Sequence, residues 1–274
     1  MESKAEAKKK PARNRLVVNI SQTQYDVLKD VAKKLKMRVS ADKESAEFDL
    51  FWTDMAVQPE QLARLKPFQK INHWPGMFSL HRKNNLGKLL MKMNKQFPDY
   101  YNFFPKTYIL PADNSEFQKQ FNGKYNKTFI LKPEAACQGR GILLIRRPCD
   151  IPANELMVAQ RYIAKPMLID GLKFDLRIYL LVAGVDPLRL YMYKEGFIAY
   201  LGMVRFATEK YESPSYSNLD NVCQHLTNYA INKENSNFIF NTDSTKADVG
   251  HKRSLTTVFQ QIEKQGGDIE MIRK

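Results

Sequence analysis

The sequence predicts an α+β fold, and three observations carry that reading. Residues Arg15–Asp54 run strand, helix, strand. From Thr128 the pattern turns strongly β. Within that region two β-type runs bracket the loop of "LKPEAACQGRGILL", Leu131–Leu144. A chain of 274 residues can bury a large core in one domain or several small ones.

Residues 1–13 are lysine-rich and, apart from Met1, lack large apolar residues; they read as a disordered basic tail. An N-terminal α/β lobe is assigned to residues 14–75. "RLVVNI" is its first strand, and Tyr25, Leu28, Val31, Ala32 and Leu35 fall at helical spacing behind Ser21 or Thr23 as N-cap. "FDLFWTD" is the second strand, and Pro75-Gly76 punctuates the chain. A central lobe, 76–165, opens on a basic amphipathic helix over Asn85–Phe97, with Leu86, Leu89, Leu90 and Met93 on its core face. "FPKTYILP" fits an edge strand between prolines, and Ser115–Asn122 a short helix with Phe117 and Phe121 at i, i+4. "TFILKP", "GILLIRR" and "LMVAQRYI" are strands. A last lobe, 166–274, starts with "LKFDLRIYLLVAG" and "PLRLYMYKEG" as a hairpin across "GVDP". "HLTNYAINK" reads as a polar loop, and a helix from near Ser254 runs through Phe259, Ile262 and Met271 to the end of the chain.

Composition narrows the function classes. The formal charge of +14 attracts polyanions: nucleic acid, an anionic membrane or an acidic protein surface. No zinc-finger or basic-zipper spacing supports nucleic acid. No apolar run reaches a membrane span, and the charged N-terminus has no secretory h-region. Three cysteines without paired spacing fit a reducing compartment. GxSxG, HExxH and CxxC are absent, the histidines show no metal spacing, and Cys223 and His225 share a face only on a strand.

Four stretches can carry chemistry. In the opening loop, Gln138-Gly139-Arg140-Gly141 leads into a strand rather than a helix, which excludes dinucleotide and Walker loops. It is either a surface hairpin or a flap whose backbone N–H groups close over a triphosphate, with Lys132 as a point charge. In "LKFDLRIYLLV", Phe174, Leu176, Ile178, Leu180 and Val182 share one face, and Lys173, Asp175 and Arg177 the other. That polar row is a solvated charge ladder or the floor of a charged-ligand site. "QRYI", Gln160–Ile163, is a strand end or an adenine-framing linker. Thr227, Asn228, Tyr229, Asn232 and Lys233 cluster in an ordinary loop or a site wall.

Together "INHWPGM", "FILKPEAACQGRGI", "QRYIAKP", "IDGLKFDLRIYLLV", "RFAT" and "QHLTNYAINK", in that order, resemble the tubulin tyrosine ligase-like family, specifically its polyglutamylase branch. The resemblance implies an ATP-grasp fold closing over ATP, with Mg²⁺. It implies a ligase that activates a glutamate side-chain carboxylate of an acidic tubulin tail as an acylphosphate and joins free L-glutamate to it. By motif, Lys132 would hold phosphate, and Gln138, Gly139, Arg140, Gly141 and Ile142 would form the loop above it. Gln138 and Arg140 would also approach the acceptor. Gln160, Arg161, Tyr162 and Ile163 would frame adenine; Lys173, Phe174 and Asp175 would line the nucleotide pocket, supported by Arg177; Thr227 and Asn228 would face the nucleotide. Arg205, Tyr229 and Lys252 would contact the incoming glutamate, with Lys132, Arg140 and Arg205 in the catalytic set. The +14 charge then becomes attraction to microtubules and their acidic tails. Localisation would be cytoplasm and cytoskeleton, including a cilium axoneme or basal body.

Two departures qualify these implications. "FIAYLGMV" is an apolar insertion before Arg205 relative to the family pattern. The family's magnesium ligands, an Asp and a Glu-x-Asn in an "LLEVN"-like strand, have no counterpart here, which leaves the metal ligands unassigned. The expectation is therefore a C-terminal lobe that is incomplete and a chain with little ligase activity. The alternatives are a non-catalytic microtubule-binding relative and a glycine-adding member of the family.

Overall fold

Val18 and Ile20, alternating along the first strand, bury one face of a parallel sheet against Ala32, Leu28 and Met37. The structure, a computed structural model, describes residues 15–123, 127–152, 155–192, 202–242 and 246–273. Its contacts separate two units, Met1–His81 and Arg82–Lys274. The basic tail and most of the insertion before Arg205 lie outside the described residues.

The first unit contains β1 (Val17–Gln22), α1 (Val27–Lys34), β2 (Arg38–Ser40), β3 (Leu50–Thr53), α2 (Pro59–Ala63), β4 (Lys70–Ile71) and α3 (Phe78–His81). The strands pair in parallel in the order β2-β1-β3-β4. The predicted strand–helix–strand is present, with a short strand, β2, that the sequence reading passed over. Asp26, not Ser21 or Thr23, precedes α1. Thr23 is engaged instead by Asp54, at 2.9 Å.

The second unit opens with α4 (Lys83–Gln96), α5 (Pro98–Tyr101), β5 (Thr107–Leu110), α6 (Asn114–Gln118), β6 (Phe129–Pro133), β7 (Leu143–Ile145) and β8 (Met157–Arg161). An antiparallel sheet, β5-β8-β6-β7, has β5 at its edge as expected. Phe129 and Leu131 point to a core with Phe117, Tyr108, Leu110 and Met157. Ile130 and Lys132 alternate to the opposite face. Phe117 is fully buried and its ring centroid lies 4.9 Å from that of Phe129. The α4 reading is corrected in two respects. The helix starts two residues earlier, at Lys83, and Leu89 is exposed while Gly87 is buried.

The chain continues through β9 (Leu168–Ile169), β10 (Leu172–Arg177), β11 (Leu180–Val185), β12 (Leu188–Met192), β13 (Met203–Lys210), α7 (Val222–His225), α8 (Tyr229–Asn232), β14 (Lys252–Ser254), α9 (Leu255–Lys264) and α10 (Ile269–Arg273). A second antiparallel sheet runs β14-β13-β10-β9. Phe174, Phe206, Val204 and Ile169 pack beneath Val258 and Ile262 of α9.

Three readings change here. The long alternating strand breaks after Arg177: β10 joins the four-stranded sheet, whereas β11 and β12 form a hairpin of their own. Ile178 and Leu180 are consequently exposed rather than core. "HLTNYAINK" is not a loop throughout, because His225 ends α7 and Tyr229–Asn232 form α8. The predicted terminal helix is two helices. Ser254 caps α9 by accepting from Thr257 N at 3.1 Å. Gly266, at φ 83°, then ends it, placing Met271 on α10.

Candidate functional site

A cleft of about 330 Å³ lies between the two sheets of the second unit. One wall is the face of β6 that carries Ile130 and Lys132; the floor is the polar face of β10 and β13. Cross-strand register puts Asp175 opposite Arg205 and Arg205 opposite Lys252. Residues directly opposite share a face, so the three form one row across the sheet, while Phe174 and Phe206 fill the core behind it. Arg205 grips Asp175 with two hydrogen bonds, Nε donating to Oδ1 at 2.9 Å and a terminal nitrogen donating to Oδ2. This pairing raises the Arg205 guanidinium pKa. Lys252 Nζ sits 3.3 Å from the centroid of the Tyr229 ring. Burial, with Arg205 nearby, lowers the pKa of Lys252.

The wall supplies lysines. Lys132 Nζ donates to Gln160 Oε1 at 2.8 Å, and burial plus the charge of Lys83 lower its pKa. Lys173 Nζ donates to Tyr162 Oη and to the His225 carbonyl, each at 2.8 Å, and lies 4.3 Å from the Tyr162 ring centroid. Its pKa falls from 10.5 to about 8, chiefly through burial, then through Lys132, with Asp175 opposing. Fully buried His225 accepts or donates at Nδ1 to Tyr162 Oη, 3.2 Å away, and its Nε2 lies 3.0 Å from the Asn218 carbonyl.

Above the cleft the opening loop is a hairpin connection, since β6 and β7 pair directly, Phe129 opposite Ile145. Gln138, Gly139 and Gly141 all have positive φ, at 60°, 90° and 66°. A side chain at Gly139 would bring its Cβ 2.5 Å from Ile231 Cδ1 and 3.0 Å from Asn228 Cγ. The glycine therefore lets the backbone lie against the Asn228 wall, which a non-glycine residue would block. Lys83, at the start of α4, anchors the loop entry by donating to the carbonyls of Pro133, at 2.9 Å, and Ala136.

Of the residues singled out from sequence, Lys132, Gln138, Gly139, Arg140, Ile142, Lys173, Asp175, Arg205, Thr227 and Asn228 line this one cleft. Others are held elsewhere. Gln160 orients Lys132, Tyr162 backs Lys173, and Arg161 packs over Phe129 at 5.6 Å. Ile163 is exposed, Phe174 faces the core, and Tyr229 and Lys252 form the neighbouring pair. Asn232 is a staple rather than a wall group: its Oδ1 accepts from Thr208 N at 2.8 Å and its Nδ2 donates to the Leu226 carbonyl. Cys223 and His225, two apart on a helix, do not face each other. Lys83 escaped the sequence reading, and His225 entered it only as a possible partner of Cys223. The "HRKNN" run held the only signal for Lys83, and it reads equally as a solvated basic turn.

A family model described as the tubulin-tyrosine ligase family matches residues 61–272. The chain belongs to the tubulin-tyrosine ligase family. A probable beta-tubulin polyglutamylase of Tetrahymena thermophila is 56% identical over 262 residues, 94% of this chain and 21% of that protein. The tubulin polyglutamylase TTLL6 of Mus musculus is 43% identical, covering 97% of this chain and 31% of its own length. The tubulin polyglutamylase TTLL13 of Homo sapiens is 44% identical, covering 92% and 29%. The chain thus spans well under half the length of these relatives.

For a tubulin-tyrosine ligase family member, the cleft suits a polyphosphate. Lysines 83, 132 and 173 converge beneath the hairpin loop, and no side chain at Gly139 obstructs it. A divalent cation fits less well. Among the described residues no cluster of three metal-capable side chains occurs. Asp175 is the one carboxylate lining the cleft among the described residues, and Arg205 occupies both its oxygens. Among the same residues, no helix is long and apolar enough to cross a membrane.

Proposed function

We propose that the chain carries the nucleotide and amino-acid sites of an ATP-dependent protein–glutamate ligase acting on glutamate side chains in acidic tubulin tails. The observation that supports this best is the adjacency of two cationic groups, one lining the cleft and one running from its floor across the sheet to Lys252. The lysine cluster under the loop suits phosphates, and the Asp175–Arg205–Lys252 row suits a carboxylate. A ligase needs both side by side, because the activated carboxylate and the incoming amine must meet.

In this reading the acceptor carboxylate takes the γ-phosphoryl group, giving an acylphosphate and ADP. The unprotonated α-amine of free glutamate then attacks the acyl carbon, phosphate leaves with the bonding pair, and the nitrogen gives up a proton, taken up by the departing phosphate, as the amide forms. Lys132 and Lys173 neutralise charge on the phosphates, and the loop 138–142 covers them from above, its Arg140 and Ile142 N–H groups held in the turn by the Cys137 and Gly139 carbonyls. Gln160 aims Lys132, as Tyr162 and the His225 carbonyl aim Lys173. Arg140 leans toward the acidic acceptor, and Arg205 and Lys252 hold the incoming side-chain carboxylate, with Tyr229 fixing Lys252. ATP is the phosphoryl donor in this reading; Mg²⁺ would supply charge neutralisation on its phosphates, with ligands other than the described residues of the cleft. In this reading the +14 charge draws the protein to acidic tails on microtubules, so its work would be on the cytoskeleton.

The test is ATP-dependent transfer of radiolabelled glutamate to microtubules by the full chain and its Lys132→Met variant. Incorporation that requires ATP, falls at least about a hundredfold in the variant and is not competed by glycine supports the reading. Incorporation indifferent to ATP, or competed equally by glycine, overturns it.

A further inference from the structure

The Lys252–Tyr229 pair is made by two segments remote in sequence, and something must hold them in register. Lys252 starts β14, whereas Tyr229 opens the four-residue helix α8. The contacts between them close into a ring. Tyr229 meets Phe238 edge-on at 5.8 Å, Phe238 stacks on the His251 imidazole at 5.3 Å and 30°, and His251 precedes Lys252, whose Nζ returns to Tyr229.

His251 is the best-anchored member of that ring. Its side chain accepts at Nδ1 from Ile239 N at 3.0 Å, and its own N donates to the Ile239 carbonyl at 3.2 Å. Its carbonyl accepts from Phe206 N on β13 at 3.0 Å. Gly250, at φ 92°, brings the two segments together, since a Cβ there would lie 3.0 Å from the Ile239 carbonyl oxygen. The imidazole is buried, so its Nδ1 must carry a lone pair rather than a proton to serve Ile239.

We propose that His251 is the positioning residue of the amino-acid subsite, locking the Phe238–Ile239 segment to β14 so that Tyr229 and Lys252 meet. It touches no substrate itself. The inference rests on the ligase reading, in which Lys252 and Tyr229 receive the incoming glutamate, and it names what sets their geometry.

The experiment compares His251→Phe, His251→Asn and Phe238→Leu in the full chain, measuring KM separately for glutamate and for ATP. Phenylalanine keeps the stack and loses the acceptor; asparagine places an oxygen near the Nδ1 position. The expected result is a glutamate KM raised about tenfold in His251→Phe with the ATP KM within about twofold, and recovery of most of the loss in His251→Asn. Phe238→Leu, which breaks the ring while leaving the His251 Nδ1 acceptor for Ile239 N in place, raises the glutamate KM selectively as well, and it decides the matter if His251→Phe does not fold. Unchanged KM values, or proportional rises for both substrates, overturn the proposal. A wild-type chain that shows no saturable glutamate binding by isothermal titration with ATP present overturns the ligase reading itself, and the subsite assignment with it.

Discussion

Replacing Lys173 by methionine should make the protein more stable at neutral pH while weakening nucleotide binding. Lys173 is half-buried, and desolvation drops its ammonium pKa from 10.5 to about 8. That gap corresponds to roughly 3 kcal/mol of disfavoured charge in the folded state, at about 1.36 kcal/mol per pH unit. The sign follows from the depressed folded-state value. Below pH 8 both states are protonated and the folded state bears the full penalty. Between pH 8 and 10.5 the folded protein has released the proton and the unfolded chain has not, so the penalty fades as pH rises. Methionine removes the charge but also the donors to Tyr162 Oη and the His225 carbonyl. Losing these returns about 1–2 kcal/mol of the gain, which leaves a net stabilisation of about 1–2 kcal/mol at pH 7. Thermal unfolding of both proteins without nucleotide, at pH 7 and at pH 10.5, checks this: the advantage of the variant should shrink or reverse at the higher pH. Isothermal titration at pH 7 should show ATP bound at least about tenfold more weakly by the variant. For the wild type, ATP affinity should fall about tenfold from pH 7 to pH 9 as Lys173 loses its proton. A variant that is less stable at pH 7, or whose advantage does not change with pH, refutes the account of Lys173 as a desolvated charge held for its ligand.

Gly139→Ala should leave the global fold intact and raise the KM for ATP about tenfold. The substitution forces a φ of 90° on alanine and a methyl against Ile231 and Asn228, a backbone cost of about 1–2 kcal/mol before any clash. Steady-state kinetics at varied ATP measure it. Phe117→Ala should cost about 3–5 kcal/mol, because the ring is fully buried among Tyr108, Phe121 and Phe129; chemical denaturation reads the loss.

Much of the fold was legible because the relevant signals are local. The β-rich run "TFILKP" announced β6, and the absence of a helix after Gly141 announced a hairpin rather than a Walker loop. The errors occurred where tertiary contacts override pattern. Alternation continues from Leu172 to Val182, yet the strand breaks at Ile178, because only Leu172–Arg177 finds a partner in β13. Asn232 looked like a site donor; it instead satisfies Thr208 and Leu226, which no spacing rule could show. Lys83 stayed hidden because its role depends on two carbonyls more than forty residues away. The row Asp175–Arg205–Lys252 likewise needs the register of three strands, and a sequence supplies each strand but not the register.

That row makes its own prediction, since its one carboxylate is held by Arg205 at the floor of a lysine-lined cleft. Asp175 fixes the Arg205 fork through both oxygens, and an amide cannot substitute, having one acceptor and one N–H pair turned toward other donors. Asp175→Asn therefore has opposing consequences. Removing a negative charge from a cationic cleft should tighten a simple polyanion such as pyrophosphate severalfold, and more so at low salt. Releasing the fork should disorder Arg205 and, on the ligase reading, lower kcat/KM for glutamate about tenfold to a hundredfold. Both side chains are partly exposed, at 23% and 35%, so solvent screens the charge effect more than the geometric one. The geometric loss should dominate turnover while the charge gain shows only in pyrophosphate titrations. If pyrophosphate binds less tightly, Asp175 is contributing to the anion site by contact rather than by holding Arg205. If glutamate kinetics do not change, the Arg205 fork does not set that subsite.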